Sequence, residues 1–127
     1  MTQHSNTALL IARIFMGLLF LMAGLGKLGN VEGFAGYLAS GGLPAFLTWP
    51  AILFEIVAGL LLVAGFFTRY TALALAAFCL ASGLLYHFDP SDQNQMTNLL
   101  KNIALAGGFI ALAIAGAGKF SLDARKA

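Results

Sequence analysis

Residues 45–67 read AFLTWPAILFEIVAGLLLVAGFF, a run in which Glu55 is the only charged side chain. As a helix rising about 1.5 Å per residue, such a run crosses a hydrocarbon core of about 30 Å. Pro50 falls in the first turns of that helix, where its missing amide is tolerated. A helix pairs its own backbone groups in lipid, and the run lacks the alternation of a barrel strand. We therefore predict a transmembrane helix here.

Three more apolar runs have the length of a membrane span: residues 8–28, 70–88 and 96–116. Asn6 or Thr7 is expected to cap the first of these helices, and Asp89 with Pro90 to end the second. Hydrophobic residues make up 60% of the chain and charged residues 9%, which excludes a soluble domain with its usual charged fraction of about 25%. The sequence predicts an all-α integral membrane protein, a four-helix bundle forming a single domain over residues 1–127.

The connection between the first two spans, residues 29–44, is too polar and glycine-rich to cross the membrane. Apolar residues recur in it at helical spacing: Val31, Phe34, Tyr37 and Leu38. This spacing predicts a short interfacial helix, and an irregular loop packed on the end of the bundle is the alternative.

Basic residues predict the orientation of the chain. One end of the spans carries Arg69, Lys119, Arg125 and Lys126, and the other carries Lys27 and Lys101 together with Glu32, Asp89 and Asp92. The excess of Lys and Arg at the first end predicts that both termini lie in the cytoplasm. The net charge of +2 is too small to indicate a nucleic-acid partner, and the bilayer is the expected environment.

Polar side chains inside the spans are the candidate site residues, because ionisable groups in hydrocarbon are costly and are normally functional or paired. The primary candidates are Arg13, Glu55, His87, Lys101 and Asn102, and the secondary ones are Lys27, Tyr86 and Asn98. Glu55 lies near the middle of its span. Asn98, Lys101 and Asn102 share one face of the fourth span by their spacing.

We expect Arg13 to reach Glu55 and to keep it ionised. An unpaired Glu55 would instead carry a proton and serve a proton pathway. The structural alternative is that such a pair only sets helix register, while Lys27 and Lys101 extend to the interface and His87 merely ends its helix. Cys79 is predicted to be a core residue.

Three segments carry a family resemblance: ARIFMGLLFLMAGLGKL (residues 12–28), FEIVAGLLLVAGFFTR (54–69) and LLKNIALAGGFIALAIAGAGKFSLD (99–123). The specific part is the combination of Arg13, Glu55 with Gly59, Thr68 with Arg69, Lys101 with Asn102, and Ser121-Leu122-Asp123. With these residues in this order, the chain resembles the DoxX family over nearly its whole length. The resemblance implies a multi-pass protein of the bacterial inner membrane.

The family name derives from an archaeal thiosulfate:quinone oxidoreductase, and some members are described as partners of oxidative-stress or thiol-detoxification enzymes. In this chain the single Cys79 excludes dithiol chemistry, which needs a cysteine pair. The spans contain one histidine, His87, and no cluster with metal-ligand spacing, so haem and metal chemistry are not indicated. A redox role would therefore rest on a bound quinone or on a partner's cofactor.

Three functions remain open. The first is a membrane component that supports a partner complex, as a homo-oligomer or with a membrane or redox protein. The second is a quinone-linked oxidoreductase subunit in which Glu55 exchanges protons with the ring and His87, Tyr86 or Lys101 binds its carbonyl oxygens. The third is small-molecule or proton transport by an oligomer.

Overall fold

The computed structural model describes residues 2–126, and the side chains of residues 2–125. Regular structure in this range is entirely helical: α1 Gln3–Leu28, α2 Val31–Ser40, a 3₁₀ turn Ala45–Leu47, α3 Thr48–Ala64, α4 Thr68–Tyr86, α5 Gln93–Ala115 and α6 Leu122–Lys126. Four segments are long and apolar enough to cross a membrane: Gln3–Leu28, Ala45–Ala64, Thr68–Tyr86 and Gln93–Ala115. The all-α prediction with four spans is confirmed, and α2 is the short helix expected between the first two.

Helix starts differ from the prediction because of their caps. Thr2, rather than Asn6 or Thr7, caps α1: its Oγ1 accepts a hydrogen bond from the amide of Ser5 at 3.1 Å. The helix therefore begins earlier than its apolar run. In the same way, Asp92 caps α5 by accepting from the amides of the second and third residues after it, so that α5 begins at Gln93.

The first of two compact units contains the chain up to residue 66 together with the C-terminal segment from residue 117. In this unit α1 and α3 pack antiparallel with their backbones in contact. A Cβ atom added at Gly17 would lie 2.7 Å from the carbonyl oxygen of Gly59, and one added at Gly59 would lie 2.7 Å from that of Gly17. Two turns further along α1, Gly24 faces Ile56 and Glu55. Small residues thus bring the two helices together, as is common between membrane spans.

The second compact unit is residues 67–116, in which α4 packs antiparallel on α5. Its core is formed by Ala72, Leu75, Ala76 and Cys79 of α4 and by Leu99, Ala106, Phe109 and Leu112 of α5. Cys79 is 2% exposed, which confirms its prediction as a core residue.

The outward faces of the four spans are apolar. Phe15 is 71% exposed, Ile114 75% and Tyr70 77%. Apolar surface of this extent is found where lipid or a partner covers it. It fits the assignment of these helices to the membrane.

Candidate functional site: a lysine–glutamate pair between α1 and α3

Glu55 forms an ion pair with Lys27, one of the secondary candidates. The Lys27 Nζ atom lies 2.9 Å from Oε1 of Glu55. The Glu55 side chain is 5% exposed and that of Lys27 is 28% exposed. This Oε1 atom is buried, and beyond the ion pair with Lys27 it accepts no hydrogen bond from the part of the chain that the structure describes. Because an isolated charge in a span costs about 3 kcal/mol or more, the two residues stabilise each other there.

Helix geometry explains why these two side chains meet. Each Cα–Cβ bond in a helix is tilted towards the N-terminus of that helix. Lys27, near the end of α1, therefore leans back along the hairpin, while Glu55 on the antiparallel α3 leans in the opposite direction. Gly24 of α1 lies against Glu55 of α3, and Lys27 is about one helical turn beyond Gly24. The opposite tilts of the two side chains close this one-turn offset and bring them together.

The third member of the site is Phe34, on α2. The Lys27 Nζ atom lies 5.2 Å from the centroid of the Phe34 ring, within the range of a cation–π contact. The side chain of Asn30, one turn before Phe34, caps the start of α2 by accepting a hydrogen bond from the amide of Gly33. The ammonium group thus contacts a buried carboxylate and an aromatic face, and α2 forms part of the site.

Arg13 does not pair with Glu55, so that prediction is wrong. Arg13 is fully buried, and its guanidinium donates four hydrogen bonds to backbone carbonyl oxygens. Two of these oxygens belong to Leu62 and Val63 at the end of α3, at 3.0 and 3.1 Å. The others belong to Ala117, at 3.0 Å, and Phe120 in the C-terminal segment. Arg13 therefore ties the C-terminal segment to the α1–α3 hairpin.

Two physical reasons separate Arg13 from Glu55. Arg13 lies level with Leu62 and Val63, which are about 10 Å from Glu55 along α3 at the rise of a helix. Glu55 also leans towards the start of α3, away from Arg13. The last carbonyls of a helix lack partners within it, and the five N–H donors of Arg13 satisfy them directly. Asp123 provides the negative charge that interacts with Arg13.

The remaining primary candidates lie in the second compact unit. Asn102 joins α5 to α4: its Nδ2 atom donates to the carbonyl of Cys79 at 3.1 Å and to Oγ of Ser82 at 3.2 Å. The Nδ1 atom of His87 lies 2.8 Å from Oε1 of Gln95, which links the end of α4 to the start of α5. In both cases the structure shows a contact that fastens the helix pair.

Lys101 is exposed and forms no ion pair or hydrogen bond with the part of the chain that the structure describes. Tyr86 and Asn98 are half-buried at the ends of α4 and α5.

Sequence reasoning missed the role of Arg69, which it had counted only as a topological charge. The Nη1 atom of Arg69 donates to the carbonyls of Ala113 and Ile114 at the end of α5, at 2.9 and 2.7 Å. Both compact units therefore contain an arginine of one helix that caps the C-terminus of its antiparallel neighbour. The sequence signal for these two helix ends was a glycine: Gly65 ends α3 and Gly116 ends α5. Both adopt a positive φ, as is common where a helix terminates.

Comparison with known proteins identifies the family. The pattern that defines DoxX matches residues 8–88. The chain belongs to the DoxX family. The match covers all three residues of the Lys27–Glu55–Phe34 site, as well as Arg13. No group of three or more potential metal ligands occurs among the residues that the structure describes, and no solved structure matches the DoxX chain.

Two relatives from Escherichia coli (strain K12) are similar over almost their whole length. The inner membrane protein YqjF is 37% identical over 123 residues, covering 97% of this chain and 95% of the relative. The inner membrane protein YphA is 38% identical over 125 residues, covering 92% and 89%. With the four spans, these relatives confirm the prediction of a multi-pass protein of the inner membrane.

A more distant likeness is to CatD of Bacillus subtilis (strain 168), whose name describes it as a putative oxidoreductase. It is 29% identical over 76 residues, which cover 60% of this chain and 57% of CatD.

Proposed function

We propose that this DoxX protein is a quinone-binding membrane component of a redox complex, with the Lys27–Glu55 pair as the site for the ring. The observation that carries the proposal is a buried carboxylate inside a span whose partner, the Lys27 side chain, is 28% exposed. An ammonium group has three N–H donors, and an ion pair with one carboxylate oxygen occupies at most one of them. Lys27 can therefore donate to a ligand without giving up Glu55.

The chemistry of the three side chains fits a quinone ring. One N–H of Lys27 would donate to a ring carbonyl, and Glu55 would accept a proton released when the quinol is oxidised and return it when the quinone is reduced. Phe34, already in contact with the Lys27 ammonium, supplies an aromatic face beside the ring. The exposed apolar faces of α1 and α3 would accommodate an isoprenoid tail. His87, Tyr86 and Lys101 have no part in this proposal.

The electrons would come from a partner oxidoreductase. A lone cysteine cannot cycle between dithiol and disulfide, so Cys79 cannot supply them. The likeness to CatD, named as a putative oxidoreductase, supports a redox context for this chain. The protein would bind and orient the quinone and manage its proton, while the partner performs the electron transfer.

The test is mass spectrometry of the lipids extracted from protein purified in native-membrane nanodiscs. We expect near-stoichiometric quinone with the unmodified protein and a loss of it in Glu55→Gln and Lys27→Met. The matched controls are Glu32→Gln on the exposed side of α2 and Lys101→Met on α5, which should keep the quinone. Quinone at the level of the surrounding lipid, or equal retention in all four variants, would contradict the proposal and favour a structural membrane component that supports a partner complex.

A further inference from the structure

The Lys27–Glu55 pair presents one donor group and one acceptor group side by side. An ammonium only donates hydrogen bonds, and a carboxylate only accepts them. The oxidised ring of a quinone carries carbonyl oxygens, which only accept. The reduced ring, a quinol, carries hydroxyl groups, each of which donates one hydrogen bond and accepts another.

On the basis of the proposed function, we infer that the site binds the reduced, hydroxyl-bearing form of its ligand more tightly than the oxidised form. A quinone can use only Lys27. A quinol oxygen can accept from Lys27 while its hydroxyl hydrogen is donated to Glu55. The reduced ligand thus forms one more hydrogen bond, and that bond is to a charged acceptor, which makes it stronger than a bond between neutral groups.

The geometry of the pair makes this extra bond available. Beyond the ion pair with Lys27, Glu55 Oε1 is buried and accepts no hydrogen bond from the side chains or backbone that the structure describes, so this oxygen keeps acceptor capacity for a ligand. The Lys27 Nζ and Glu55 Oε1 atoms are 2.9 Å apart, a spacing at which one hydroxyl group can hydrogen-bond to both residues. The exposed part of Lys27 marks the side from which the ligand would approach.

Charge balance also limits the class of ligand. The charges of Lys27 and Glu55 cancel, so a neutral ring leaves the site neutral. A ligand with a carboxylate would place a second negative charge beside Glu55 within the span, which is unfavourable in hydrocarbon. Between the two redox forms of the proposed ligand, the neutral, hydroxyl-bearing quinol is therefore the one that satisfies both residues.

The test compares three ligands of the same ring size under anaerobic conditions: a short-tail benzoquinone, its quinol, and the dimethyl ether of that quinol, which has no hydroxyl donor. Their dissociation constants would be measured by equilibrium dialysis against the protein in nanodiscs made from quinone-free lipid. We expect the quinol to bind at least about tenfold more tightly than the other two, the size of one charge-assisted hydrogen bond. For a two-electron couple, tenfold corresponds to raising the midpoint potential of the bound ligand by about 30 mV.

The three outcomes separate the inference from the proposed function. In Glu55→Gln the preference for the quinol should fall to a few-fold, whereas the matched Glu32→Gln should retain it. Equal or tighter binding of the quinone that still depends on Lys27 and Glu55 overturns the inference but keeps the proposed function. Absence of binding by all three ligands, or binding indifferent to both residues, overturns both. The three-ligand comparison on the unmodified protein stands even if Glu55→Gln fails to fold.

Discussion

Lys27 and Glu55 depend on each other, because removing either one leaves the other as an unpaired charge within a span. The free-energy cost of burying these charges in the membrane is low only because the two residues are paired. Thermal unfolding can therefore reveal the pair independently of any ligand.

The first prediction is a double-mutant cycle at this pair. Lys27→Met should destabilise the protein by about 3 kcal/mol, because it leaves Glu55 buried without a counter-charge. Adding Glu55→Gln should restore most of that loss, since the double variant has no charge to bury. Thermal unfolding in nanodiscs measures both effects, and Lys101→Met should change stability by less than about 0.5 kcal/mol. A Lys27→Met variant as stable as the unmodified protein would show that the ion pair contributes nothing.

A second prediction concerns Arg13. Its planar guanidinium reaches four carbonyls in two segments, and a lysine, with three donors on one nitrogen, cannot satisfy them all. Arg13→Lys should cost about 2–4 kcal/mol, because at least one or two carbonyls lose their partners. It should also speed cleavage of the C-terminal segment by proteinase K. Arg125→Lys, at an exposed position in that segment, is the control; equal cleavage rates in the two variants would contradict the role given to Arg13.

At the scale of the helices, the contact between α1 and α3 depends on the absence of side chains. Gly17 and Gly59 bring the two backbones together, and this contact fixes the level at which Lys27 meets Glu55. By contrast, a Cβ atom at Gly26, also on α1, would have no neighbour within 4 Å. The two kinds of glycine should therefore respond differently to the same substitution.

We accordingly expect Gly59→Ala to destabilise the protein by about 1–3 kcal/mol, because the added methyl group clashes with backbone that cannot move aside. Gly26→Ala should leave stability unchanged or raise it by up to about 1 kcal/mol through its better helix propensity. Unfolding temperatures measured side by side test the contrast. Similar values for the two alanine variants would mean that the close approach is not required.

The helices also show what a local pattern can predict. α2 was expected from the spacing of Val31, Phe34 and Leu38, and Leu38 is indeed its buried residue. The contact of Phe34 with Lys27 was not predicted, because spacing along α2 does not indicate which residue of another helix it meets. The same limit applies to Arg69, whose partners at the end of α5 are 44 and 45 positions away in the sequence.

At the scale of the whole molecule, both termini belong to the same compact unit. The amide of Lys119 donates to Oδ1 of Asn6 at 2.9 Å, which places the start of α1 beside the C-terminal segment. With four candidate spans, we expect the start of α1 and the C-terminal segment to lie on the same side of the membrane. That this side is the cytoplasm remains the prediction from the distribution of Lys and Arg.

Cysteine labelling in spheroplasts tests the orientation. In a Cys79→Ala background, Ser91→Cys lies in the exposed connection between α4 and α5, and Ser5→Cys lies near the N-terminus. A membrane-impermeant maleimide should label Ser91→Cys in intact spheroplasts and Ser5→Cys only after permeabilisation. The reverse pattern would place both termini in the periplasm.

The sequence by itself determined the number of spans, their helical state, the buried place of Cys79 and the presence of an ionisable residue within α3. These are local properties, since length and apolarity decide whether a segment can cross a bilayer. Only the tertiary structure decided that Glu55 meets Lys27 while Arg13 binds the carbonyls of Leu62, Val63, Ala117 and Phe120. The choice of partner depends on the register of α1 against α3 and on the opposite tilt of their side chains, and neither can be read from one span alone.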